Sequence, residues 1–125
     1  MPRPFYNTPY DVPIESDEAG EICKQIAYRM HVVNGVRVRF CIGYQIRDLK
    51  TGRLYDIVRY DDAGGFVHRH SPGFPPGDQH IPFQLDSNGG FDAIDRDIEE
   101  NAETYEYEAA RTGYKVSEDA DNDRD

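Results

Sequence analysis

Residues 36–47 alternate without a break. Val36, Val38, Phe40, Ile42, Tyr44 and Ile46 fall on one side, and Arg37, Arg39, Cys41, Gly43, Gln45 and Arg47 on the other. A period of two marks a strand with one buried face, so this chain is committed to a sheet with an apolar side and a polar side. A second β-patterned run, Gln25 to Val32, precedes it, and Asn34-Gly35 between them predicts a hairpin. A three-residue loop, Val33-Asn34-Gly35, keeps the apolar sets together: Val32 opposite Val36, Met30 opposite Val38, Tyr28 opposite Phe40. On the other side of the sheet that register sets Arg37 against His31 and Arg39 against Arg29. With Arg47 they form a basic face that calls for an anion, either a phosphate or a carboxylate of the chain such as Glu99, Glu103, Glu106 or the acidic arm.

Asp48 to Arg53 predicts a second hairpin loop, returning through Leu54 to Tyr60. Gly64-Gly65 permits a bend, after which Phe66 to His70 forms a short strand. Prolines and glycines between Ser71 and Pro82 predict a long loop, and Phe83 to Gly90 one more short strand. Asp92 to Arg111 predicts a helix. Phe91, Ile94, Ile98, Ala102, Tyr105 and Ala109 recur on one side of it, Asp92 and Asp95 suit its N-terminus, and Gly113 stops it. The expected architecture is α+β: an antiparallel β-meander of four to five strands with one C-terminal helix packed on the sheet. Residues 1–20, with four prolines and the run Glu15-Ser16-Asp17-Glu18, read as an extended acidic arm. Residues 21–112 form the single domain, and residues 113–125 a disordered acidic tail.

The formal net charge of −10 is unevenly spread: residues 1–91 carry 10 Lys/Arg against 11 Asp/Glu, whereas residues 92–112 carry 2 against 8. Such acidity weakens long-range attraction of nucleic acid but leaves room for a local anion site in the first part of the chain. No run is long and apolar enough to span a membrane, and Met-Pro-Arg-Pro lacks a signal-peptide core. Cys23 and Cys41 have neither metal nor redox spacing, so a reduced cytoplasmic protein is the expectation.

Three of the four histidines fall between residues 68 and 80. On a strand, His68 and His70 share a face, and a neutral and a charged imidazole acting together can cleave RNA through its 2′-hydroxyl without a metal. Arg59 is the better placed cation to balance charge on the phosphate, because Arg69 alternates to the opposite side. Asp61 belongs to the same cluster as a hydrogen-bond partner of the histidines. Arg29, His31, Arg37, Arg39 and Arg69 are the candidate phosphate contacts. A second reading is a divalent metal held by His68 and His70 and completed by His80, Asp61 or Asp78, which gives a three-ligand open site. A third is a non-catalytic interaction module, with the acidic helix and arm binding a basic partner. The glutamates of the helix otherwise read as a solvated face. Tyr44, Tyr55, Tyr60 and Tyr105 read as core or rim residues, with base stacking conceivable for Tyr60 alone.

The order of these pieces resembles the TumE-type family of small toxins from prokaryotic toxin–antitoxin pairs. The resemblance rests on Arg59-Tyr60-Asp61-Asp62-Ala63 at the end of a strand, followed by His68-Arg69-His70, a polar linker and a C-terminal helix. It extends by order of elements over residues 25–110. Family members often carry a histidine soon after the alanine, where this chain has Gly64-Gly65. The resemblance implies a cytoplasmic toxin that acts on RNA and is neutralised by a partner antitoxin; the histidine-pair reading expects no cofactor, with a divalent metal as the alternative.

Overall fold

The structure is a computed structural model and describes residues 7–70 and 80–111. The expected acidic tail, Asp78 and most of the proline-rich loop lie outside the described residues. Six strands, β1 (Thr8–Ser16), β2 (Ile22–Val33), β3 (Val36–Arg47), β4 (Leu54–Asp61), β5 (His68–His70) and β6 (His80–Pro82), form one sheet in sequence order. Every pairing is antiparallel. Helix α1 (Asp92–Arg111) packs on one side. The α+β meander with one C-terminal helix is as expected, but the strands number six instead of four to five.

Both extra strands lie at edges, and both contain prolines. The stretch read as an arm becomes β1 from Thr8 to Ser16, with Pro9 opposite Arg29 and Pro13 opposite Gln25. At the other edge His80–Pro82 pairs with β5, whereas the strand expected within Phe83–Gly90 does not form. Proline cannot donate to a ladder, so it reads as a strand breaker; at an edge its missing N–H costs no pairing.

The β2–β3 hairpin corrects the expected register. Asn34 and Gly35 both take positive φ, 52° and 78°, as a two-residue primed turn requires, and Val33 faces Val36. A bulge next to His31/Val32 then absorbs the extra residue Val38, so that Met30 faces Phe40 and Tyr28 faces Ile42. The apolar sets still meet, by a tight turn plus a bulge instead of a longer loop. The basic residues move as a consequence: Arg37 faces Val32, Arg39 faces His31, and Arg29 faces Cys41.

The helix covers the side carrying Ile26, Tyr28, Phe40, Ile42, Tyr44, Val58 and Tyr60, and buries Ile94, Ile98, Tyr105 and Ala109 against it. This is the stripe that the helical spacing predicts. Polar contacts fix its position. One tyrosine from each of three neighbouring strands donates its hydroxyl to a helix carboxylate: Tyr28 to Asp95, Tyr44 to Glu106 (3.0 Å) and Tyr60 to Asp97 (2.5 Å). Lys24 adds an ion pair to Glu106 at 2.9 Å. Burial, reinforced by the acceptor carboxylate, raises the Tyr28 and Tyr60 hydroxyls well above their ordinary value. Tyr60 is fully buried, so it is a core residue and presents no face to a base. Glu106, read as part of a solvated face, points at the sheet.

The helix-free side is polar yet closely packed. Gln25 donates to Gln45 at 2.8 Å and Gln45 to Asp56 at 3.0 Å, all three buried. Gly43 makes room for this row, since a Cβ there would stand 2.2 Å from Asp56 Oδ1. Gly43→Ala is therefore expected to destabilise the protein by about 1–3 kcal/mol through overpacking, read as a lower urea midpoint.

Candidate metal centre

Two rows of cross-strand neighbours build the site on the helix-free side. In one, Gly43, Arg59, His70 and His80 succeed each other across β3 to β6; in the next, Cys41, Asp61, His68 and Pro82 do. Period two explains the grouping. His68 and His70 point to this side of β5, Arg59 and Asp61 to the same side of β4, and Arg69 and Tyr60 point to the helix. The turn between β4 and β5, Ala63–Gly65, uses the positive φ of Gly64 and Gly65 (81° and 88°) to reverse the chain within a few residues.

The imidazoles are in mutual contact. The His68 and His80 rings stack at 4.7 Å with 7° between planes, and the His70 and His80 centroids are 4.1 Å apart. One nitrogen from each of His68, His70 and His80 lies within 4.8 Å of the others. Asp61 runs between the first two: His70 Nε2 bonds its Oδ2 at 3.1 Å, and His68 Nε2 lies 3.0 Å from its Oδ1. Arg59 approaches the same group, with Nε 3.5 Å from Asp61 Oδ2 and Nη2 3.4 Å from His70 Nε2. Burial alone would raise the Asp61 carboxyl. The hydrogen bond from His70, the Ala63 N–H, and the charges of Arg59 and His68 outweigh it and hold the group below its ordinary value.

His68 ties the cluster to the chain on both sides of its ring. Its Nδ1 lies 3.2 Å from the Phe66 carbonyl, which can only accept, so that nitrogen carries a proton. Its Nε2 is buried and lies 3.0 Å from Asp61 Oδ1, an ion pair when the ring is protonated. With ring nitrogens of His70 and His80 within 4.8 Å, the cluster has the donor chemistry of a transition-metal site: imidazole nitrogens beside a carboxylate.

The other expected contacts are dispersed. Arg29 is buried and paired with Asp11 at 2.6 Å, so the carboxylate that answers it comes from β1 and not from the helix. Arg37 lies over the rings of Phe91 (4.4 Å) and Phe40 (5.3 Å), on the helix side. Arg39 is exposed next to His31, away from the histidine cluster. Arg69 donates to the Tyr105 hydroxyl and lies 3.5 Å from Asp97. Arg29, His31 and Arg39 share the helix-free side, but Arg37 and Arg69 face the helix, and of the arginines considered only Arg59 joins the histidines. Phe66, two residues before His68 and absent from the expected site, packs its ring 4.8 Å from that histidine. The strand period itself was the available signal, because it puts 66, 68 and 70 on one side.

The matched region of the sequence spans residues 14–112 and contains every residue of this cluster. The chain belongs to DUF7718, a domain family of unknown function. No curated protein and no solved structure matches it.

In this family member, β5 is held from behind as well as in front. Asp97 accepts from Tyr60 and from Tyr105 (2.7 Å) while pairing with Arg69, and burial followed by that bond pushes the Tyr105 hydroxyl up to about 12. Asp97→Ala would leave the Tyr60 and Tyr105 hydroxyls without their acceptor and remove the carboxylate that pairs with Arg69. A loss of about 2–4 kcal/mol is expected in equilibrium denaturation, with a smaller loss for Asp97→Asn, which keeps an acceptor oxygen.

Proposed function

We propose that His68, His70 and His80 hold a divalent transition metal, oriented by Asp61, and that the centre hydrolyses a phosphate ester whose charge Arg59 receives. The observation that carries this reading is the convergence of one ring nitrogen from each of His68, His70 and His80 within 4.8 Å, beside the Asp61 carboxylate. Three protein ligands leave a coordination position open, which distinguishes catalytic from structural metal sites. A bound metal would lower the pKa of a coordinated water toward about 7 and so supply a nucleophile at neutral pH. Hydrolysis then forms a bond from the water oxygen to phosphorus and breaks the bond to the ester oxygen. The ester oxygen departs with the electron pair and finally takes up the proton released by the water. Arg59, its side chain 15% exposed, supplies a fixed positive charge to the non-bridging oxygens.

The resemblance to TumE-type toxins makes RNA the first substrate to assay and an antitoxin the first partner to seek. A metal-free RNA cleavage by His68 and His70 is the second reading, favoured by the approach of Arg59 to His70 at 3.4 Å. The interaction-module reading draws less support, since Asp95, Asp97 and Glu106 of the acidic helix are engaged by the sheet.

Titration of the metal-free chain with Zn²⁺ is expected to give one site per chain. His80→Ala should weaken it by at least about 100-fold and Asp61→Asn by about 10- to 100-fold. RNA cleavage should stop with EDTA and return with added metal. Cleavage that persists in EDTA and is lost in His68→Ala would establish the metal-free reading instead. No uptake of Zn²⁺, Mn²⁺ or Ni²⁺ would overturn the metal centre.

A further inference from the structure

Next to the histidines, the end of the β5–β6 edge forms a shallow, open depression lined by Phe66, Val67, Pro82, Phe83, Gln84 and Leu85. Phe66 and Pro82 border His68, whereas Val67, Phe83 and Leu85 pack against the core. Pro82 is the cross-strand partner of His68, and the Phe83 N–H donates to the Val67 carbonyl at 3.1 Å, so the pairing of the two segments runs on past the histidines. Phe66 forms one wall. It is 50% exposed even though its ring packs on His68, which leaves much of its surface open. The Phe66 and His68 ring centroids are 4.8 Å apart, so a group stacked on Phe66 lies beside His68.

We infer that this depression receives a flat aromatic ring of the substrate, which makes the substrate class phosphoesters that carry an aromatic group, as nucleotides do. The inference rests on the metal-centre reading and names the substrate of that same site. Charge and shape argue together. The centre offers one arginine, Arg59, while Arg37 and Arg69 are committed to the helix side, and a net charge of −10 weakens long-range attraction of a phosphate. Further binding energy must then come from elsewhere, and the half-exposed phenyl ring of Phe66 beside Pro82 supplies it by stacking and burial of apolar surface. Gln84 adds an amide that can both donate to and accept from the edge of a polar ring. Phe66 thus acts as a specificity residue: it recognises the ring and takes no part in bond breaking.

The test is calorimetric binding of phenyl phosphate and methyl phosphate to the full chain loaded with Zn²⁺, which separates ring from phosphate. Phenyl phosphate is expected to bind at least about fivefold more tightly. In the zinc-loaded protein, Phe66→Ala should abolish that preference while leaving methyl phosphate affinity unchanged. Arg59→Met should weaken both ligands alike. Equal affinity for the two phosphates in the zinc-loaded protein, or a preference that survives Phe66→Ala, would overturn the subsite and leave the metal centre standing. Failure to take up any of Zn²⁺, Mn²⁺ and Ni²⁺ would overturn the centre and the subsite with it.

Discussion

Three tyrosine hydroxyls, one from each of β2, β3 and β4, donate to three carboxylates of a single helix, and the rest of the fold follows from that attachment. Apolar contact alone would let an amphipathic helix slide along a sheet, because burial is not directional. Buried hydroxyls need acceptors at fixed positions, so Tyr28, Tyr44 and Tyr60 fix both the register of the helix and its direction. The acidity of residues 92–111 acquires a structural meaning here. Asp95, Asp97 and Glu106 serve the sheet, and the remaining carboxylates of the helix keep its outer side solvated.

Once the helix claims one side, strand alternation sends every other residue of β4 and β5 to the opposite side. Arg69 joins Tyr105 and Asp97 beneath the sheet, while His68 and His70 stand above it with Asp61 and Arg59. A strand of three residues has little hold of its own. The contacts on its helix side therefore also position the two histidines on its other side, and fold and site share the same residues. Proline at both edges, Pro9 and Pro13 in β1 and Pro82 in β6, limits pairing with other strands without interrupting the interior ladders.

Some features were legible in the chain because they depend on near neighbours. The alternation of Val36–Arg47, the helical stripe from Phe91 to Ala109 and the shared face of His68 and His70 each follow from local geometry. They reappear in the structure with nearly the same boundaries. Contributions that depend on position within the sheet were hidden. Thr8–Ser16 and His80–Pro82 look like coil until an edge exists to receive them, since their prolines are tolerated only there. The hairpin register was also misread, because a turn of two residues with a bulge and a loop of three residues satisfy the same apolar pattern. That choice moved Arg37 across the sheet and out of the expected basic face, which keeps Arg29, His31 and Arg39.

The sequence by itself determined the period of each element, and with it which side of its own strand or helix every side chain takes. Only the tertiary structure decided which strands become neighbours. It thereby decided that His80, separated from His70 by a proline-rich loop, stacks against the first two histidines, and that Asp61 lies between the rings of His68 and His70. The physical reason is that backbone conformation is set by local sterics, whereas cross-strand contact depends on long-range pairing, which no short stretch of residues specifies.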